Sequence, residues 1–298
     1  MTMAEDRQLR IGLPKGSLQN STIELLRKAG FSVTVDERAY SPDMGDDELW
    51  AVLLRAQELP LYIDHGVLDC GLTGYDWILE RNVDLVEVCN LIYAKGGMRP
   101  YRWVLAVHES SDINSIEDLQ GKRIATELVS VTERLLAEHG VEAEVEFSWG
   151  ATEAKCPDLV DAVVEGTETG STLYANNLRI VQVLFESCTK LVANKEAWAD
   201  SWKRAKIESI ALLLNAALEA ENKVGLKMNA RAEDLDAVIG CLPALKKPTI
   251  SPLANGGDDK WVAVETIVDQ KIVKDLIPAL KAAGAQGIIE YPLTKVVL

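Results

Sequence analysis

The chain has 298 residues, 46 acidic against 31 basic side chains, a formal net charge of −15 and a hydrophobic content of 48%. That content sustains packed cores, and the length allows two or three domains. The acidic balance argues against a nucleic-acid partner, which needs a basic footprint, although local cations and backbone amides can still hold an anion. No apolar run approaches the roughly 20 residues of a membrane helix. The opening MTMAEDRQLR lacks the apolar core of a signal peptide. A cytoplasmic protein with no membrane partner is expected. Five cysteines are scattered without a C-x-x-C pair, and three histidines stand in unrelated contexts. A disulfide framework, a zinc site and a Ser-His-Asp triad are therefore not indicated.

In chain order, LRIGLP reads as a strand, and Ser21-x-x-Glu24 as a capping box for a helix that stops at Gly30. FSVTVD alternates and predicts a strand; WAVLLR is another, followed by a short helix, LPLYIDHG. LDCGLTG is an apolar strand ending in a Gly/Thr turn, and YDWILERN opens a helix. This βα alternation implies a largely parallel sheet. Punctuation at Gly96-Gly97-Met98-Arg99-Pro100 marks a crossover. A second α/β set follows, with strands in RWVLAVH, RIAT, 141–149 and DAVVE, and a helix capped by Ser130-x-x-Glu133 and ending at Gly140. From about 180 the chain is expected to return to the first set, through strands VQVLF and TKLVAN. A long helix then runs from about Glu196 to Glu221, with Trp198, Trp202, Ala205, Leu213 and Ala217 as its core-facing stripe. The remainder reads βαββαβ, the split βαβ plan of ferredoxin-like domains: VGLKMN, AEDLDAVIGCL, PTISPL, WVAVETIV, Lys271 to Ala283, and GIIEYPL.

The chemically suggestive segment is 161–178, DAVVEGTETGSTLYANNL. An apolar strand ends in acid, a Gly/Thr loop follows, and an amphipathic segment begins at Leu173. Gly admits backbone N–H groups to phosphate oxygens, Thr and Ser add donors, and the acid suits ribose hydroxyls. An ordinary strand–turn–helix corner is the competing reading. Lys15, beside Gly16 after the first strand, suits an anionic oxygen or is simply solvated. Arg55 and Arg102 suit bidentate phosphate contacts or surface ion pairs. Gly71, Thr73, Gly74 and Asp76 form a second strand-end turn, a ligand position in doubly wound sheets or a mere tight turn.

Taken jointly, RIGLPKGSL, DCGLTGYD, GKRIAT, WGATEA, EGTETGSTLYAN and LPALKKPTISPL resemble, in the right order, the ATP phosphoribosyltransferase family in its long form. Ser17, Glu165, Gly166 and Glu168, and the short KCPDLVD segment, depart from the usual pattern. The resemblance implies two periplasmic-binding-protein-like α/β lobes, 1–99 with 188–222 and 100–187, and an ACT-like histidine-binding domain over 223–298. It implies transfer of a phosphoribosyl group from phosphoribosyl pyrophosphate (PRPP) to N1 of ATP, releasing pyrophosphate, with Mg²⁺ as cofactor and no metal ligands identified. Lys15 and Arg55 are then the catalytic cations. Glu165, Thr167, Glu168, Thr169, Gly170, Ser171 and Thr172 would bind PRPP. Gly16, Gly71, Thr73, Gly74, Asp76, Arg102 and Glu153 would serve ATP or pyrophosphate. Asn229, Leu245, Thr249 and Ile267 would hold histidine as an allosteric inhibitor in a homohexamer. On this reading Gly170→Val and Thr172→Ala weaken PRPP binding with little loss of stability. A non-catalytic two-lobed solute-binding protein and a phosphoribosyltransferase for another base are the alternatives.

Overall fold

A computed structural model describes residues 7–36, 39–93, 101–243, 247–253 and 260–297. The chain divides into two compact units, 1–27 with 31–211, and 28–30 with 212–298.

The first unit holds two five-stranded sheets. The first comprises β1 (Leu9–Lys15), β2 (Leu49–Arg55), β3 (Cys70–Gly74), β4 (Val86–Leu91) and, from later in the chain, the strand Thr189–Ala193. β1 pairs in parallel with β2 and β3, while Thr189–Ala193 runs antiparallel to both β3 and β4. Helices α1 (Gln19–Ala29), α2 (Leu59–Asp64) and α3 (Tyr75–Arg81) connect the strands. Leu59, Ile63, Leu68, Ile78 and Val192 form a buried cluster against this sheet.

The second sheet has the order β7-β6-β8-β5-β9, from β5 (Tyr101–His108), β6 (Arg123–Thr126), β7 (Glu144–Phe147), β8 (Ala162–Thr167) and β9 (Leu178–Ser187), with helices α4 (Val129–Glu138) and α5 (Ser171–Ala175). Alternate residues of β5 point to opposite faces. Trp103, Leu105 and Val107 join one apolar cluster with Ile124, Ala162 and Val164. Val104 and Ala106 join another with Ala125 and Val163. Both faces are thus covered, which explains the continuous apolar run WVLAV. Thr189–Ala193, here β10, returns to the first sheet, but β9 stays in the second, so the chain crosses back at Cys188 and not near 180.

Several local expectations are corrected. FSVTVD forms no strand: among the described residues its ladder contact is one bridge from Thr34 to Asp43. Arg27 Nε and Nη2 donate to the Val33 carbonyl at 3.0 and 2.7 Å, occupying an acceptor that a ladder would need. Neither Ser21 nor Ser130 caps its helix. Ser21 Oγ donates to the Leu18 carbonyl, inside a helix that has already begun. At α4 the Glu80 carboxylate, from α3, accepts the N–H groups of Ser130 and Val131, both at 3.0 Å. A negative charge there satisfies two orphan donors and opposes the positive helix end. The expected long helix is two, α6 (Lys195–Ala199) and α7 (Ser201–Ala220). Asp200 is extended, and its Oδ1 accepts from Trp202 N and Lys203 N at 2.9 Å, starting a new helix. The buried face of α7 is Ile207, Ile210, Ala211, Leu214, Ala217 and Leu218; Ala205 is exposed, and Trp198, Trp202 and Leu213 are half-buried. The expected crossover at Gly96 to Pro100 lies outside the described residues.

The second unit takes up the chain within α7. Its elements run β11 (Lys223–Arg231), α8 (Leu235–Cys241), β12 (Thr249–Pro252), β13 (Trp261–Asp269), α9 (Val273–Ala282) and β14 (Gln286–Pro292), the expected βαββαβ order. The sheet is antiparallel throughout, ordered β12-β13-β11-β14. Val224, Leu226, Met228, Val264 and Val268 face Val238, Leu276 and Leu280 of the helices in one core. Period-2 alternation sends Lys227, Asn229, Glu265 and Ile267 to the other face.

Candidate active site

The ends of the two sheets in the first unit line a cavity of about 500 Å³. The parallel register pairs Lys15 at the end of β1 with Arg55 at the end of β2, so the two cations stand side by side. Lys15 Nζ lies 3.8 Å from the ring centroid of Tyr40. Gly16, at φ +106°, sits against the Arg55 guanidinium, whose Nη1 would be 3.5 Å from a Cβ there. Both cations line the cavity, as do Ser17 and Gly74.

Four carboxylates line the same cavity: Asp76, Glu127, Glu165 and Glu168. Asp76 is buried at the start of α3. Trp103 Nε1 donates to its Oδ2 at 3.0 Å, and Trp77 N to its Oδ1 at 3.0 Å. The Asp76 N–H donates to Ser187 Oγ at 3.1 Å. Burial pushes the Asp76 pKa up, against the lowering effect of these donors. Gly74 ends β3 because Asp76 Oδ1 occupies the space a Cβ would need, 2.0 Å away. Glu165, on β8, is pushed up to about 7, first by burial and then by the charges of Glu153 and Glu127; the Thr152 hydroxyl opposes the shift. Among the described residues, its Oε2 is buried without a hydrogen-bond partner. Glu127 is raised by burial and by Asp76. The phenol of Tyr101 is raised by burial and by Glu165, Asp76, Glu127 and Glu168. Glu127, Tyr101 and Trp103 are cavity residues that the motifs did not single out. Glu127 directly follows the strand RIAT, and a carboxylate at a strand end was the only available signal.

After β8 the chain turns through Glu168, Thr169 and Gly170 into α5. Thr167 Oγ1 accepts the Gly170 N–H at 2.8 Å, Thr169 Oγ1 accepts the Ser171 N–H at 3.3 Å, and Thr169 Oγ1 donates to Ser171 Oγ at 3.0 Å. The tight turn requires Gly170, whose φ is +82°. Arg102, paired with Thr167, extends Nη2 to the Glu168 carbonyl at 3.4 Å. Thr169, Ser171 and Thr172 are exposed, while Thr167 and Gly170 are buried. Glu153 lies in a short 3-10 turn, Thr152–Lys155, close enough to Glu165 to raise it. Of the expected site residues in this unit, Lys15, Arg55, Gly74, Asp76, Glu165 and Glu168 line the cavity, whereas Gly16, Gly71, Thr73, Arg102, Glu153, Thr167, Thr169, Gly170, Ser171 and Thr172 do not. Thr73 is fully buried, with its hydroxyl donated to the Ala56 carbonyl at 2.9 Å. Gly71 is buried in β3 against Gly12, whose carbonyl would be 2.9 Å from a Cβ. Both serve sheet packing and neither lines the cavity.

In the second unit Asn229, Thr249 and Ile267 share the helix-free face of the sheet. Asn229 pairs with Ala263, four residues from Ile267, so the two are about 13 Å apart at 3.3 Å per residue. Thr249 is opposite Glu265, between them. Leu245 lies outside the described residues.

A family model described as ATP phosphoribosyltransferase matches residues 55–216, and one for the HisG C-terminal domain matches 220–295. The chain belongs to the ATP phosphoribosyltransferase family. Its reaction is therefore the first step of histidine biosynthesis. The ATP phosphoribosyltransferase of Prosthecochloris aestuarii is 57% identical over 294 residues, covering 99% of both chains. That of Desulforudis audaxviator is 59% identical over 290 residues, covering 97% of this chain and 99% of the other. Among solved structures, a chain of the ATP phosphoribosyl transferase (HisG:HisZ) complex from Thermotoga maritima superposes with a TM-score of 0.61. It is 26% identical and covers 70% of this chain and 99% of its own. Among the described residues, no helix is long and apolar enough to cross a membrane.

The geometry revises one expectation. A side chain at Gly170 would adopt a left-handed backbone and place Cβ 2.9 Å from the Tyr174 ring. Gly170→Val therefore loses stability as well as affinity, by about 1–2 kcal/mol for the backbone alone. Thr172→Ala, at an exposed position, should stay within about 0.5 kcal/mol of the parent. Urea unfolding of the two variants checks the difference, and equal midpoints would contradict it.

Proposed function

We propose that the cavity of the first unit is where PRPP meets ATP, and the observation that carries this is that paired cations and carboxylates line one cavity. Lys15 and Arg55 line it from the ends of β1 and β2, and Asp76, Glu127, Glu165 and Glu168 line it from other elements. PRPP has the complementary pattern: a diphosphate, a diol that wants acceptors, and a distal phosphate. The diphosphate belongs with Lys15 and Arg55, the ribose hydroxyls with Glu165 and Glu168, and the 5′-phosphate with the turn from Thr167 to Thr172. Gly16, Gly74, Asp76 and Arg102 border the nucleotide and the departing pyrophosphate, and Glu153 acts on Glu165 through its charge.

Adenine N1 carries a free lone pair at neutral pH and needs no base. It attacks C1 of the ribose, the N1–C1 bond forms, and the C1–O bond breaks with inversion. Pyrophosphate leaves with the electron pair. Positioning of the two substrates and neutralisation of the leaving group carry the rate. Magnesium, when bound, supplies further neutralisation. Among the described residues, no group of three or more His, Cys, Asp or Glu side chains could hold a metal ion.

We further read the second unit as an ACT-like domain that binds histidine and feeds back on catalysis in a homohexamer. Its βαββαβ order and the helix-free face carrying Asn229, Thr249 and Ile267 support this. Ile267 and Ile289 are 48% and 58% exposed on that face, apolar surface that suits a second copy. Because Asn229 and Ile267 stand so far apart on one sheet, a pocket using both needs that second copy.

Two measurements test this account. Lys15→Ala should lower kcat by about 10²–10³ while changing the KM for ATP little, as expected of a cation that acts as charge develops; normal turnover in a pyrophosphate-release assay would show a solvated lysine. Asn229→Ala combined with Thr249→Ala should keep activity near normal and strongly weaken inhibition by histidine, since coupling must pass through ligand contacts. Unchanged inhibition would place the histidine site elsewhere.

A further inference from the structure

The Lys15 ammonium rests on a ring, not on an acid. Its Nζ lies 3.8 Å from the ring centroid of Tyr40. Four carboxylates line the cavity that Lys15 also lines, yet among the described residues none reaches ion-pair distance of this ammonium. Tyr40 is held by its backbone. β2 is an edge strand, and its Leu53 N–H donates to the Tyr40 carbonyl at 2.7 Å. One residue on, Ser41 Oγ donates to the Ala51 carbonyl at 2.8 Å, a second anchor to the same strand. Strand register sets Leu53 opposite Leu13 and Arg55 opposite Lys15, so the anchored segment runs beside the strand ends that carry the two cations. The Tyr40 residue is nonetheless 60% exposed, so burial in a core does not account for where its ring sits.

We infer that Tyr40 is a positioning residue for the phosphoribosyl transfer: its ring face holds the Lys15 ammonium ready for the departing pyrophosphate and off the carboxylates of the cavity. The inference rests on the reading of Lys15 as a catalytic cation given above. A lysine has a flexible stem and three rotatable donors, so an ammonium among four acids is drawn toward an ion pair. A carboxylate partner would fix Lys15, but it would offset the charge that the leaving group needs and occupy its donors. An aromatic face attracts a cation through the ring quadrupole and carries no net charge. It orients the ammonium and leaves the full positive charge for phosphate oxygens. Arg55, the register partner of Lys15, repels the ammonium, and the ring supplies a compensating attraction without an anion.

The test follows pyrophosphate release from ATP and PRPP by the full chain. Tyr40→Leu should lower kcat about two- to fivefold, the span of a cation–π contact at an exposed site, and leave the KM for ATP little changed. Tyr40→Phe should keep the parent kcat, because the ring is retained. Replacing Tyr40 by phenylalanine carrying one, two and then three ring fluorines should lower kcat stepwise. Each fluorine withdraws charge from the ring face while the size of the ring hardly changes, so a ring with a merely structural role gives a flat series. In a Lys15→Ala background, Tyr40→Leu should add nothing. The backbone anchor of Tyr40 persists in every variant and its side chain is exposed, so folding is kept. An unchanged kcat in Tyr40→Leu, a flat fluorine series, or an undiminished effect of Tyr40→Leu in the Lys15→Ala background overturns the positioning role and leaves the reading of Lys15 standing. Normal turnover in Lys15→Ala overturns the reading of Lys15 itself.

Discussion

A carboxylate buried between two sheets sets the terms for the first unit. Asp76 opens α3 at the edge of the first sheet, and the indole N–H that holds it belongs to β5 of the second. Burying a carboxylate is costly unless donors converge on it. Much of the surrounding sequence follows from that requirement. Gly74 leaves room for the carboxylate, Trp103 brings the donor, and Ser187 takes the N–H of Asp76. Trp103 is held in turn by edge contact with Tyr101 and stacking on Phe185. A second tie runs parallel to it, from Glu80 of α3 to the first N–H groups of α4. α3 thus belongs by sequence to the first sheet and by hydrogen bonding to both.

This arrangement explains how a chain of net charge −15 can serve an anionic substrate. The cations are few, but strand register places Lys15 and Arg55 together at one wall. The acids are not spread evenly either. Four of them share the cavity, where burial raises the pKa of Asp76 and Glu127 and pushes Glu165 up to about 7. Net charge is a property of the whole surface, whereas phosphate recognition depends on a few aligned groups.

Much of this was legible in the sequence, for physical reasons that differ from place to place. β5 and β8 of the second sheet carry continuous apolar runs because both faces are covered there, and such runs are plain strand signals. β4 is poorly legible: V-E-V-C-N-L interleaves an acid and an amide in a half-buried strand, and its pattern carries little signal. FSVTVD has the alternation of a strand, but a guanidinium takes one of its carbonyls. The break at Asp200 carries a cap signal that the apolar residues continuing at helical spacing across it obscure. At the cavity, Lys15 and Arg55 are legible from residue chemistry and family resemblance, and strand register brings them together. Glu127, Tyr101 and Trp103 are not, since their importance arises only when β5 and β6 converge on α3. Thr73 and Gly71 show the converse error: a loop-like Gly/Thr signature that in the fold serves sheet packing.

The most direct test of the whole account is a crystal structure of the chain with PRPP bound. The account predicts the 5′-phosphate against the backbone N–H groups of residues 169–172, a ribose hydroxyl on Glu165 Oε2, and the diphosphate beside Lys15 and Arg55. PRPP bound with its diphosphate on the Gly/Thr turn, or outside the cavity altogether, would contradict it.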